Sequence, residues 1–338
     1  MPKVELQETR KLDHIQLAVA AQTNRLEVDG RFYYEPLFSA HPTSETDLSL
    51  SFFGKKMSAP LWVSSMTGGV GPARHINQNL ARLCREFGLG MGLGSCRVLL
   101  HDKKNYFEDF NLRPIIGSDL PLFANLGIAQ IEQMLESKIG HQKLNDLVAC
   151  LDADGLIVHI NPLQEWFQPE GDRLKRSPIE TLSRLCEILE HQIIVKEVGQ
   201  GMGPKSLEAL LELPVAGIEL AAFGGTNFSR LEQMREKNTS MEALTKVGHT
   251  APQMITCLNS LLKSKPQYKT KQIIISGGVE NILDGYYLRE NLSFTSVIGQ
   301  AKSFLVHAED YEDLKKITAG QIAGLKIAKA YLAIKESL

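Results

Sequence analysis

PLWVSSMTGGVGPARHINQNLARLCREF, residues 60–87, contains the repeating unit of the whole chain. A short apolar run, 60–65, has the length and content of a buried strand. It breaks at Thr67-Gly68-Gly69, and Ile76, Leu80, Leu83, Cys84 and Phe87 then recur at helical spacing. Strand, glycine turn and helix in that order is the unit of a parallel sheet. Comparable apolar runs follow at 90–95, 122–126, 156–161, 193–198, 217–222, 273–276 and 296–299, most of them separated by enough chain for a crossover helix. Eight such units predict an α/β fold in which the strands close into a (β/α)8 barrel.

Around this core we expect one domain over residues 1–338. It comprises an N-terminal arm at 1–55, the barrel at 56–305 and C-terminal helices at 306–338 that cap or wrap it. The polar run EKNTSMEAL, 236–244, predicts an exposed excursion after the sixth strand.

Composition limits the function classes. The 37 Lys and Arg balance 39 Asp and Glu, for a formal net charge of −2. No broad cationic footprint for nucleic acid or an anionic membrane is expected from such a balance. Five widely spaced cysteines without a CxxC pair argue against a zinc knuckle or a disulfide framework. Neither a signal peptide nor a long uninterrupted apolar span is legible, so the expected location is the cytoplasm.

In such barrels the chemistry gathers at the C-terminal ends of the strands. Here those ends read Ser65-Met66-Thr67, Ser95-Cys96-Arg97, Asn125, His159 through Glu165, Lys196-Glu197, Gly224 through Asn227, Gly277-Gly278 and Gly299 through Ala301. Turn residues alone would serve a structural barrel; repeated hydrogen-bonding and charged side chains would not be needed. The pairs Gly224-Gly225 and Gly277-Gly278 follow strands six and seven, where backbone N–H groups commonly hold phosphate. Either pair alone is more often a plain turn; together they favour a phosphorylated ligand.

Lys196 shares a strand face with Ile194. It is either a solvated strand-end residue or a buried cation in need of an anionic partner. In HINPLQE, alternation places Ile157, His159 and Asn161 on one face, and Pro162 ends the strand. Gln164 and Glu165 then fall in the loop above the barrel mouth. Glu165 is a candidate ligand for a hard cation such as Mg²⁺, which takes one or two carboxylates together with phosphate oxygens. Near the start, the adjacent cations Arg10 and Lys11 would clamp a diphosphate if the arm folds over the mouth.

These segments occur in a familiar order. RKLDHI (10–15), SSMTGG (64–69), GLGMGLGSCR (88–97) and ANLG (124–127) are followed by HINPLQE (159–165) and QPEGDR (168–173). IVKEVG (194–199), GGTNFSRLE (224–232) and SGGV (276–279) complete the series. The chain resembles the type 2 isopentenyl diphosphate isomerases, FMN enzymes built on a barrel, over about residues 10–305. The resemblance implies interconversion of isopentenyl and dimethylallyl diphosphate, with reduced FMN, Mg²⁺ and NADPH as the priming reductant. It also implies a homotetramer or homo-octamer.

By position, the resemblance assigns Arg10, Lys11, Ser95 and Arg97 to the diphosphate, Gln164 to the isoprenyl group and Glu165 to Mg²⁺. It assigns the flavin to Ser65, Met66, Thr67, Ser95, Asn125, Lys196, Thr226, Gly277, Gly278 and Ala301. His159, Asn161 and Glu232 would line the site, with Gln164, His159 and Lys196 as the catalytic group. A lysine at the pyrimidine edge of a flavin favours negative charge on the reduced ring.

Two departures stand out. Ala221-Ala222-Phe223 replaces a Ser-Gly-basic run, and Glu280 stands where an arginine is common, ahead of a segment, 280–292, that lacks the usual Ala/Gly-rich helix. Three rival readings follow from the same barrel. An α-hydroxy acid oxidase would need a histidine and an arginine after a late strand, and FGGTNFSR has no histidine. A nucleotide dehydrogenase would need Cys96 as a reactive nucleophile. A binding barrel without activity would keep the cofactor site and turn over neither isoprenyl diphosphate.

Overall fold

The computed structural model describes residues 3–65, 67–69, 71, 73–236 and 240–335, with the side chains of the N-terminal helix described from residue 10. Eight parallel strands close a barrel in chain order. They are β1 (Leu61–Val63), β2 (Gly90–Gly92), β3 (Leu122–Gly127), β4 (Gly155–Ile160), β5 (Gln192–Glu197), β6 (Gly217–Glu219), β7 (Gln272–Ile275) and β8 (Thr295–Gln300). Closure comes from β8 pairing with β1, Ile298 opposite Leu61 and Gln300 opposite Val63. All eight runs read from the sequence are strands, trimmed, shifted or extended by one to three residues at their ends.

Alternation divides the strand side chains between two cores. Leu156, Val158, Ile193, Val195 and Ile273 point outward into the core that also buries Ile76, Leu80, Leu83 and Cys84 of the helix Ala73–Phe87. Trp62, Phe123, Ile157, Ile194, Ile274 and Val297 point inward and fill the lower barrel.

A hairpin, Leu50–Phe52 with Lys55–Met57, seals the lower end. Its turn carries Phe53 at φ 49 and Gly54 at φ 77. The Phe53 ring stands 5.0 Å from Phe123 and 5.7 Å from Trp62. Gly217 makes room for it, since a Cβ there would lie 2.8 Å from the Phe53 ring. Lys55 pairs with Asp154, which also receives Arg113 at 3.0 Å, so the plug is tied to the start of β4 by charge as well as by packing.

The C-terminal stretch corrects the expectation of helix alone. After the helix Tyr311–Tyr331 comes a strand, Leu332–Ile334, antiparallel to Phe32–Tyr34 of the arm. Tertiary pairing outweighs local helix preference there, because the arm offers an unpaired edge. The arm also explains one departure from the family pattern. In the helix Ile282–Asn291, Tyr286 and Tyr287 receive Phe32, the latter edge-on at 5.8 Å, and Asp284 receives Arg31 at 2.8 Å. Of the polar run after the sixth strand, Lys237, Asn238 and Thr239 lie outside the described residues. Glu242–Lys246 forms a 3-10 turn with Thr245 buried.

Candidate active site

Two residues above the apolar layer, the barrel interior changes character. The positions that follow in alternation are Ser64, Gly92, Asn125, His159, Lys196, Glu219, Ser276 and Gly299, one from each strand or strand end. This ring is polar or glycine throughout. Ser64, Asn125, Glu219 and Ser276 are buried within it.

One half of the ring is a hydrogen-bonded relay. Asn125 Nδ2 donates to Ser65 Oγ at 2.8 Å, and Asn125 Oδ1 lies 2.7 Å from His159 Nδ1. An amide oxygen only accepts, so with this amide orientation His159 carries its proton on Nδ1. Burial, and secondarily the charge on Lys196, push the imidazole pKa down to about 3. His159 is therefore neutral at physiological pH, with Nε2 free as an acceptor close over Gly127.

Above His159, Pro162 opens a short helix, Pro162–Phe167, and this corrects the expected loop. The helix buries Glu165, which is only 5% exposed. Glu165 Oε1 accepts from Asn161 Nδ2 at 3.1 Å and Oε2 from the Asp172 backbone N–H at 2.8 Å. Its carbonyl takes Arg173, whose guanidinium stacks on Trp166. Asn161 Nδ2 also reaches Gln164 Oε1 at 3.1 Å, while Asn161 Oδ1 is buried without a protein partner. Gln164 and Gln168 donate to the buried Glu232, at 3.3 and 2.6 Å. Arg97 pairs with Asp172 at 3.3 Å, and Asp172 is in turn held by Gln130 and Gln133. One polar network therefore joins Arg97, Asn161, Gln164, Glu165 and Glu232.

On the other half of the mouth lies a cavity of about 600 Å³. Lys196, Ser64, Ser65, Glu219, Ser276 and Ala301 line it, together with Thr226 and both glycine pairs. Asn125 and His159 are not in its lining. The glycine pairs pack backbone against backbone. A Cβ on Gly224 would lie 2.9 Å from Gly278 Cα, and one on Gly277 would lie 2.1 Å from the Ala222 carbonyl. Gly277 also has φ 82, a conformation that penalises any Cβ. Only glycine fits, so these two turns present bare backbone to the cavity.

Lys196 Nζ donates to the Glu197 carbonyl at 2.8 Å. The Glu197 carboxylate is capped by the N–H groups of Gly199, Gln200 and Gly201, which fixes the turn after β5. The altered run before Gly224 puts Ala221 at φ 42, a strained conformation for a residue with a Cβ. Glu280 is exposed at the cavity rim, its backbone N–H held by Asp284.

Ser95 sits beneath the first glycine turn, where a Cβ on Gly68 would lie 2.9 Å from its carbonyl, and Thr67 donates to Asn77 at 2.5 Å. Met66 lies outside the described residues. Arg10 and Lys11 are not brought to the mouth. They sit on the exposed helix Lys3–Leu17, with no hydrogen bond or ion pair to the barrel among the described residues. Cys96 is buried, and burial pushes its thiol up to about 12, so it offers no thiolate. Sequence reasoning missed Glu219 and Asp172. The signal for Glu219 was its place two residues after Gly217 on an inward face.

No family model matches the chain. An isopentenyl-diphosphate delta-isomerase of Nostoc sp. is 35% identical over 285 residues, which is 82% of this chain and 78% of the relative. That of Rickettsia akari is 34% identical over 318 residues, 93% of this chain and 90% of the relative. Among solved structures, the recombinant flavin-binding domain of baker's yeast flavocytochrome b2 has a TM-score of 0.61 at 13% identity, covering 89% of this chain and 72% of that one. A mandelate oxidase variant solved with an FMN adduct has a TM-score of 0.54 at 10% identity, over 90% and 88%. At those identities the structural likeness is one of fold. The two sequence relatives go further, and the chain belongs to the isopentenyl-diphosphate delta-isomerase family.

Proposed function

We propose that this protein interconverts isopentenyl and dimethylallyl diphosphate by a 1,3-proton shift, with reduced FMN, Mg²⁺ on Glu165 and NADPH as the reductant that primes the flavin. The observation that carries the reading is the cavity: it is lined by a lysine and by bare glycine backbone, with the polar network of Asn161, Gln164 and Glu232 beside it. The fit to FMN is chemical. Paired glycine turns suit a phosphate, and Lys196 suits an electron-rich ring. When bound, reduced FMN supplies the acid and base that the shift requires.

The chain's own side chains have separable tasks on this reading. Lys196 holds positive charge at the cavity wall. Gln164 is fixed by Asn161 and Glu232 and orients the isoprenyl chain. His159, neutral with a free Nε2, accepts a hydrogen bond and is not a proton source. Each Glu165 oxygen accepts one hydrogen bond and keeps a lone pair for Mg²⁺, with substrate phosphate oxygens completing the shell. Ser95 and Arg97 bind the diphosphate, with Arg10 and Lys11 as its further cationic partners. Met66, Thr67, Thr226 and Ala301 complete the flavin contacts, and Asn125 acts through its hydrogen bond to Ser65 of the cavity wall. Binding energy from the diphosphate is thus taken far from the reacting carbons.

Support for a homotetramer or homo-octamer comes from apolar side chains left exposed on the arm, among them Leu12, Ile15, Leu17 and Phe38. Five unpaired cysteines suit the cytoplasm. The deciding experiment is anaerobic incubation with isopentenyl diphosphate in D₂O, with reduced FMN and Mg²⁺. Deuterium in both isomers is expected; none in either refutes the assignment.

A further inference from the structure

The Glu219 carboxylate lies in the cavity wall with 0% exposure. Its Oε1 accepts from Ser276 Oγ at 3.1 Å, and Oε2 has no partner in the protein. An ionised carboxylate accepts hydrogen bonds and donates none, so an idle buried oxygen is costly until a donor reaches it. The nearest strand offers no such donor. Lys196 is the register partner of Glu219 across β5 and β6, yet its ammonium turns to the Glu197 carbonyl and leaves Glu219 Oε2 without a bond. Across Gly299, Ser64 Oγ is also buried without a partner and faces the same cavity.

The order around the ring identifies the ligand chemistry. Lys196 on β5 marks the position for the electron-rich ring. The turns after β6 and β7 mark the position for phosphate. Glu219 at the end of β6 and Ser276 just after β7, below those turns, lie on the path that joins the two. A phosphate would be repelled there by the carboxylate, and the apolar dimethylbenzene edge of the ring would leave the oxygen idle. Neutral hydroxyl donors satisfy both demands.

We infer that Glu219 binds the polyol of the cofactor, accepting hydrogen bonds from ribityl hydroxyls and orienting the phosphate toward the glycine turns. This deepens the FMN reading and rests on it. Glu219 acts on affinity and orientation, and Ser276 holds its other oxygen.

Three probes separate the parts of the ligand: FMN, riboflavin without the phosphate, and lumiflavin without the polyol. Affinities are read by flavin fluorescence on the full-length chain freed of flavin. Glu219→Ala should weaken FMN and riboflavin about 30-fold, the size of a lost charge-assisted hydrogen bond, and leave lumiflavin within about twofold. Glu219→Gln keeps the shape and one acceptor, guards against misfolding, and should weaken the same two ligands about tenfold. Its flavin-free melting temperature should rise, because a buried charge with an idle oxygen is gone. Equal loss on all three ligands would place the effect on the ring or on folding and overturn the proposal. So would unchanged riboflavin binding in both variants. A wild type that binds none of the three would sink the FMN reading itself, a distinct result.

Discussion

The lower and upper interiors of this barrel are built on the same strands, one alternation step apart, and share almost no chemistry. Below, Trp62, Phe123, Ile157, Ile194, Ile274 and Val297 close around Phe52 and Phe53 as an aromatic and aliphatic layer, in which Trp62 Nε1 is the one buried polar side-chain atom without a partner. Above, Ser64, Asn125, His159, Lys196, Glu219 and Ser276 form a polar ring in which two oxygens, Ser64 Oγ and one of Glu219, have no protein partner. A two-residue step moves each strand from a position chosen for packing to one chosen for hydrogen bonding. Stability and chemistry are thereby assigned to different heights of one scaffold. The upper layer can carry idle polar atoms because the lower one supplies the packing.

The contrast can be broken from either side. The largest expected effect is at Lys196. Lys196→Met should lower the isomerase rate about thousandfold while the melting temperature holds or rises, measured anaerobically with saturating FMN. A melting temperature that falls with the rate would mean the upper ring is also structural. Phe123→Ala below should do the reverse. It should cost about 3–5 kcal/mol in urea unfolding and leave the turnover of the folded fraction near that of the parent.

Asn161→Ala is the next test. It removes the donor that holds Glu165 Oε1, and the Mg²⁺ concentration for half-maximal activity should rise about ten- to hundredfold at little cost in stability. Unchanged Mg²⁺ dependence would remove Glu165 from the metal assignment.

The last test concerns pH. The His159 pKa is pushed from its ordinary 6.5 to about 3 in the folded protein. The unfolded chain therefore takes up this proton first as pH falls. Stability from His159 is full above about 6.5 and is lost as pH drops toward 3. Replacing it, His159→Gln, should flatten that acid limb of the unfolding curve. A limb of unchanged slope would show that the imidazole titrates normally.

Much of this was legible in the residues, for reasons that are physical. Eight strands could be read because each is a short apolar run followed by a glycine or polar break. The face shared by Ile157, His159 and Asn161 followed from alternation alone, as did Lys196 beside Ile194. The apposition of Gly224-Gly225 and Gly277-Gly278 gives those pairs a reason that neither turn shows singly. What stayed hidden depended on distant partners. Glu219 in GIEL reads as an ordinary strand carboxylate until Ser276 and the cavity are placed around it. Asp172 sits in a recognisable motif, but its hold on Arg97 needs the helix that carries Gln130 and Gln133. The terminal ribbon joins residues some three hundred positions apart, and no local pattern announces it. The adjacent charges of Arg10 and Lys11 suggest a clamp, but sequence alone does not say where the exposed helix that carries them sits.

The Phe52–Phe53 plug carries one more implication. A tube stoppered at its base has a single doorway, so whatever binds deepest must arrive first and leave last. Flavin would load ahead of the isoprenoid, and a bound isoprenoid would trap it inside. The two isomers would then compete for one threshold in both directions of traffic.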